Sequence, residues 1–150
     1  MRTKSFQQAS WALFDFANSA FPTVITTFVF AAYFSKGIAS DQVTGTTLWG
    51  YAIGAAAFCI ALCAPIFGAI ADQSGARKPW IFIFSVLCVA GSGLLWFAMP
   101  DESSIGFTLV CVGVATFGFE MAMVFYNAML SDLSIKGHEG RLSGYAWGLG

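Results

Sequence analysis

Charge is what this chain has least of. Of its 150 residues only 10% are Asp, Glu, Lys or Arg, where a soluble domain carries roughly a quarter, and 57% are hydrophobic. That scarcity excludes an ordinary water-soluble globule, in line with a mean hydropathy of +0.72. The seven basic residues form no run that could displace counterions from a polyanion, and with eight acids they leave a net charge of -1. No nucleic-acid partner is expected. Cysteine is sparse too: Cys59, Cys63, Cys88 and Cys111 all fall in apolar stretches, none in a Cys-x-x-Cys pair, and the single histidine, His138, is remote from them. Neither a disulfide framework nor a zinc site is expected from that pattern. The phosphate loop of nucleotide-driven pumps, His-Glu-x-x-His and Gly-x-Ser-x-Gly are likewise missing, so neither a cofactor nor an enzymatic activity is expected.

What the chain has instead is four long apolar runs, at about 14–33, 48–71, 80–99 and 105–130. A bilayer core needs roughly 20 apolar residues per spanning helix, and each run is long enough. They are apolar on every side, which suits burial in lipid and among helices. Arg2 and Lys4 lead into a first run too long and too interrupted for a cleaved signal, so it is expected to stay in the mature protein. Pro79 suits a first helical turn, and Pro100 with Asp101 and Glu102 closes the third run, which predicts antiparallel neighbours joined by short connections. Pro22 and Pro65 fall inside runs and predict bends.

Arg2, Lys4, Arg77, Lys78, Lys136 and Arg141 all map to one side of the membrane and Lys36 alone to the other. The positive-inside rule then places the N-terminus in the cytoplasm. After the polar stretch 131–143 the sequence turns apolar again, and Gly144-Tyr145-Ala146-Trp147-Gly148-Leu149-Gly150 reads as a fifth helix beginning near 142. The chain is therefore expected to be the front part of a larger bundle whose C-terminal half is missing here.

The sharpest motif lies between the second and third runs, in Gly68-Ala69-Ile70-Ala71-Asp72-Gln73-Ser74-Gly75-Ala76-Arg77-Lys78. Gly68 would admit a close helix, Asp72 would offer an anion at a helix end, Gly75 would allow a tight turn, and Arg77 and Lys78 would hold the loop on the inner side. An ordinary positive-inside hairpin would carry much of this pattern too. The segment resembles G-x-x-x-D-[RK]-x-G-x-[RK]-[RK] of the major facilitator superfamily, with Gln73 in place of a base. That resemblance implies that Asp72 braces the two halves of a transporter in one conformational state. Further stretches, Ser10-Trp11-Ala12-Leu13-Phe14-Asp15-Phe16-Ala17-Asn18-Ser19-Ala20-Phe21, Phe125-Tyr126-Asn127-Ala128-Met129-Leu130-Ser131-Asp132-Leu133 and Gly140-Arg141-Leu142-Ser143-Gly144-Tyr145-Ala146-Trp147, resemble the vacuolar amino-acid effluxer-like branch. The resemblance implies an all-α integral membrane fold of about twelve helices, of which this chain supplies four and the start of a fifth.

Polar groups inside the runs need a reason. An acid at the centre of a span costs roughly 2.5 to 3.5 kcal/mol on insertion scales, so Glu120 should face the bundle interior or a wet cavity. It reads either as a protonatable or substrate-facing carboxylate or as a structural acid paired elsewhere. Asp15 and Asn18 share a helix face, and Asn127 lies seven residues from Glu120 on another. In facilitator folds, helices one and four line the central cavity. Asp15 could equally be an interfacial acid, and the asparagines interhelical hydrogen-bond glue. Gly50-x-x-x-Gly54 and Gly144-x-x-x-Gly148 read as close-packing faces, and the many Phe of the first and third runs as lipid-facing bulk.

These readings converge on a secondary transporter of small solutes working by alternating access, with amino-acid efflux and proton coupling through Glu120 as finer expectations. Its partners would be a small-molecule substrate, the lipid bilayer and a proton, and its location the plasma (inner) membrane as a multi-pass protein. The rival reading is a small four-span scaffold or assembly protein; a membrane enzyme would need clustered polar groups at one interface.

Overall fold

A computed structural model describes residues 2–133 together with 140, 143–144 and 147–148. The expected helix start near 142 falls largely outside the described residues. Four helical stretches are long and apolar enough to cross a membrane, at Phe6–Ile38, Gln42–Gln73, Arg77–Phe97 and Glu102–Ala128, hereafter the first to fourth spans. All secondary structure among the described residues is helical.

The first span is not one regular helix. It begins as α1 (Arg2–Asn18), passes through wide π-type turns at Pro22–Thr27, resumes as α2 (Val29–Tyr33) and ends in a second π-type run, Phe34–Ile38. Pro22 brings no N–H to the ladder, and hydroxyls and a wide turn add bonds on either side of it. Ser19 Oγ donates to the Asp15 carbonyl at 2.9 Å, Thr23 Oγ1 to Ser19 at 3.0 Å and Thr26 Oγ1 to Pro22 at 3.0 Å, while the Phe28 N–H reaches back five residues to Thr23 at 3.2 Å. Pro65 acts differently, because α3 (Gln42–Ser74) runs through it without interruption.

α3 starts well before its apolar run because Asp41 caps it. The Asp41 carboxylate accepts from the N–H groups of Val43 and Thr44, both at 2.9 Å. Gly45 lets the two helix ends meet: a Cβ there would lie 2.7 Å from Ser35 Cα. Residues that read as a polar loop thus become a sharp helix-to-helix corner. At the other end Gly75, in the left-handed region at φ 65°, stops α3, and α4 (Arg77–Leu94) follows, extended by a 3-10 turn at Leu95–Phe97. Asp101 caps the short turn Glu102–Ser104 that opens α5 (Ile105–Ala128), and α6 (Leu130–Leu133) ends the continuous stretch.

α5 is the hub. In its most apolar stretch 44% of residues are buried, against 6% in the first and second spans. It packs along both α4 and α3, whereas the backbones of α3 and α4, neighbours in sequence, approach each other in few places and meet through Phe67 against Trp80 and Phe84. The α4–α5 seam is close because it is lined by glycine: a Cβ on Gly118 would sit 2.7 Å from the Phe84 carbonyl oxygen and the Cys88 nitrogen, and one on Gly91 3.0 Å from Ala115. Gly50, Gly54, Gly144 and Gly148, read from sequence as packing faces, meet nothing within 4 Å among the described residues. Aromatic rings divide between core and exterior. Trp80, Phe84 and Phe125 stack beside Phe67, and Phe34 and Phe21 are buried, while Phe16, Phe28 and Phe82 are exposed.

Candidate functional site

Two places gather the polar residues, one at each end of the argument from sequence. The first is the hairpin between α3 and α4. Arg77 lies where three helix ends meet: its Nη2 pairs with Asp72 Oδ1 at 2.9 Å and its Nη1 donates to the Ala128 carbonyl at 2.8 Å. A guanidinium can do both at once because its donors diverge in a rigid fork, and a cation beside the last carbonyls of α5 complements the helix dipole. The Asp72 side chain remains 66% exposed despite this pairing. Gly75 supplies the turn, Lys78 is exposed, and the space a side chain on Gly68 would occupy is open among the described residues.

The second place is a cleft of ≈ 290 Å³ between the first and fourth spans. Asp15, Asn18, Ser19 and Thr23 line it from one side, Phe119 and Met123 from the other, with Trp147 at the same cleft. Asn18 Nδ2 donates to Met123 Sδ at 3.2 Å, which fastens the two spans. The Asp15 carboxylate is half-buried and accepts no hydrogen bond among the described residues. Glu120 and Asn127 fall on the α5 stripe that carries Met123, three and four residues away, and both are exposed. They are not among the cleft's lining residues. The structure thus brings Asp15 and Asn18 to the Met123 stripe of α5 and leaves Glu120 and Asn127 open beside it.

Sequence reading passed over several residues here. Ser19 and Thr23 continue the Asp15 face at helical spacing, a signal available in principle. Trp11 carried no such signal: its ring stacks on Tyr126 with centroids 4.3 Å apart, and its Nε1 donates to the Tyr126 carbonyl at 3.2 Å. That contact, with Gln8 Nε2 donating to the Leu133 carbonyl at 3.0 Å, sets α1 against the end of the fourth span and so positions Asp15. A larger hollow of ≈ 780 Å³ between α3 and α5 has an apolar wall apart from Tyr51 and two cysteines, and offers little to orient a polar solute. No group of three or more metal-ligating side chains occurs among the described residues.

Comparison with known proteins agrees with this architecture. Residues 3–150 match the family described as the Major Facilitator Superfamily. A curated relative, the uncharacterized MFS-type transporter YxiO of Bacillus subtilis (strain 168), is 35% identical over 153 residues. The alignment covers 100% of this chain and 35% of that protein, so the chain spans about a third of the relative's length. No solved structure matches. With four apolar spans and a family match over nearly its whole length, this chain is a multi-pass integral membrane protein and belongs to the Major Facilitator Superfamily.

Proposed function

We propose that these four spans serve a secondary transporter that moves a small solute by alternating access. The observation that carries the proposal is the cleft itself: Asp15 and Asn18 of the first span meet the Met123 face of the fourth within two apolar spans, where a polar lining costs insertion energy and needs a use. The solute would sit against this wall, with Glu120 and Asn127 on the same α5 stripe facing the remainder of the path. Proton coupling belongs to Glu120, an exposed acid inside a span. The Asp72 hairpin would brace one conformational state through its exposed carboxylate, with Arg77 holding the loop in shape. Likeness to the amino-acid effluxer branch suggests amino acids as the solute class. The basic residues support a cytoplasmic N-terminus, and the plasma membrane is the location we assign with it.

The test is uptake into lipid vesicles holding the whole protein, with and without an imposed pH gradient. Asp15→Asn is expected to reduce flux, and Glu120→Gln to abolish its dependence on the gradient. Flux that is unchanged in both variants would refute the assignment of the cleft, and no flux of any amino acid or other small solute would refute the transporter reading.

A further inference from the structure

We infer that the cleft between the first and fourth spans receives a protonated amine, so that the substrate class is an organic ammonium; this rests on the transporter reading above. The inference comes from where the hydrogens go. Ser19 spends its hydroxyl proton on the Asp15 carbonyl and Thr23 spends its own on the Ser19 carbonyl, at 2.9 and 3.0 Å. Each hydroxyl therefore presents only lone pairs to the cleft. Asn18 commits an N–H to Met123 Sδ, which leaves its Oδ1 as an acceptor. Asp15 adds two carboxylate oxygens that accept from no described residue, and a full negative charge.

What remains to donate is the second Asn18 N–H and the Trp147 indole N–H. Lys, Arg and His are absent among the described residues of the lining. Among the described residues of the four spans, the charged ones are Asp15, in the early part of the first, and Glu120 of the fourth, while Lys36, Asp72, Arg77, Lys78 and Glu102 lie near span ends. A carboxylate or phosphate would meet acceptors and like charge across a partly buried cleft, where repulsion is screened less than in open water. An ammonium has three donors and a positive charge, which is the complement of this wall. The apolar part of the lining is compatible with the same ligand: Phe119, stacked on Phe21, and Trp147 bring aromatic rings to the cleft, and the Met123 thioether suits a carbon stem. A volume of ≈ 290 Å³ holds the equivalent of about ten waters, which is room for an organic solute and far more than a bare ion fills.

The test is thermal stabilisation of the whole protein in lipid nanodiscs by n-butylammonium chloride, n-butanol and sodium chloride, matched in concentration and ionic strength. Butylammonium is expected to raise the unfolding temperature, with butanol and sodium chloride giving no comparable rise. Asp15→Asn should weaken the butylammonium effect by about tenfold or more, the loss expected of a charge-assisted hydrogen bond, with partial retention in Asp15→Glu. Thr23→Val, which removes one acceptor and no charge, should weaken it less and serves should Asp15→Asn fail to fold. Equal stabilisation by butanol, stabilisation by sodium chloride alone, or unchanged amine binding in both Asp15→Asn and Thr23→Val would overturn the inference. Amine binding without flux in vesicles would sink the transporter reading and leave the site standing, whereas flux of a neutral or anionic solute unaffected by Asp15→Asn would do the reverse.

Discussion

Gly118→Ala is the sharpest probe of how this unit holds together. The added Cβ would stand 2.7 Å from the Phe84 carbonyl oxygen and the Cys88 nitrogen and 3.2 Å from Cys88 Cα. All three are backbone atoms of α4, so no side chain can swing away. Ordinary contact begins at 3.4 Å, and α4 must therefore retreat by about 0.7 Å along a seam packed to interior density. A gap of that size forfeits about a quarter to a half of the dispersion well for each contact it opens. Overpacking of this kind costs about 1–3 kcal/mol, partly offset by the roughly 0.5–1 kcal/mol that alanine gains over glycine inside a helix. A net loss of about 1–2 kcal/mol is expected. Gly113→Ala on the same helix, where nothing lies within 4 Å, is the control and should be neutral or slightly stabilising. Reversible unfolding in mixed detergent micelles measures both. A Gly118→Ala protein as stable as the parent, or a Gly113→Ala protein that loses as much, would refute the close α4–α5 seam.

Trp11→Phe keeps a ring against Tyr126 but removes the Nε1 donor, and should cost about 0.5–1.5 kcal/mol in the same unfolding assay. Arg77→Lys puts a single ammonium where a fork reaches both Asp72 and the Ala128 carbonyl; a loss of about 1 kcal/mol is expected, and full stability in Arg77→Lys would show that the fork is not needed. The Asp41 carboxyl is held below the usual carboxylate range by the Thr44 hydroxyl and N–H, then by the Val43 N–H. A depressed folded value gives a contribution present above the unfolded pKa and lost as pH falls through the folded one, so acid should weaken the start of α3 below about pH 4. Asp41→Asn keeps the cap and should remove that acid-dependent part of the stability curve, while Asp41→Ala should lower stability at neutral pH as well.

The number of spans was legible because length and apolarity are summed properties, and local errors cancel. Their ends were less so, since Gln42 to Thr47 reads as polar loop until Asp41 is seen capping it and Thr46 and Thr47 donating back to Gln42 and Val43. Contact order among spans was not legible either. Short connections suggested that the second and third spans pack together, and they meet through Phe67, yet α5 takes most of the close backbone approaches of both, because Gly91 and Gly118 let α4 come nearer to it than to α3. Single glycines on facing helices carry no spacing signal, unlike Gly50-x-x-x-Gly54, which stands open. Asp15 and Asn18 were found as a pair from helical periodicity alone. Their meeting with Met123 depends on Trp11 seating α1 against Tyr126, a contact between residues far apart in sequence that no local pattern encodes.

Packing and the polar residues of the stripe occupy different faces of the same hub. The side of α5 that carries Gly118, Met121, Ala122 and Phe125 is buried against α4 and the end of α3, with aromatic rings stacked across it. On the stripe with Glu120, Met123 and Asn127, Met123 meets Asn18 of the first span, a span that is interrupted just beyond by Pro22 and its π-type turns. A helix whose ladder is already broken, with few buried neighbours, can change its local turn at less cost than a regular one locked into a core. The rigid seam therefore fixes α5, and the cleft opens on the partner able to move. If the first span does shift during a transport cycle, it should do so about Pro22–Thr27, and amide exchange of the whole protein should find that segment less protected than 105–128. Equal protection of the two segments would rule out the π-type turns as a hinge.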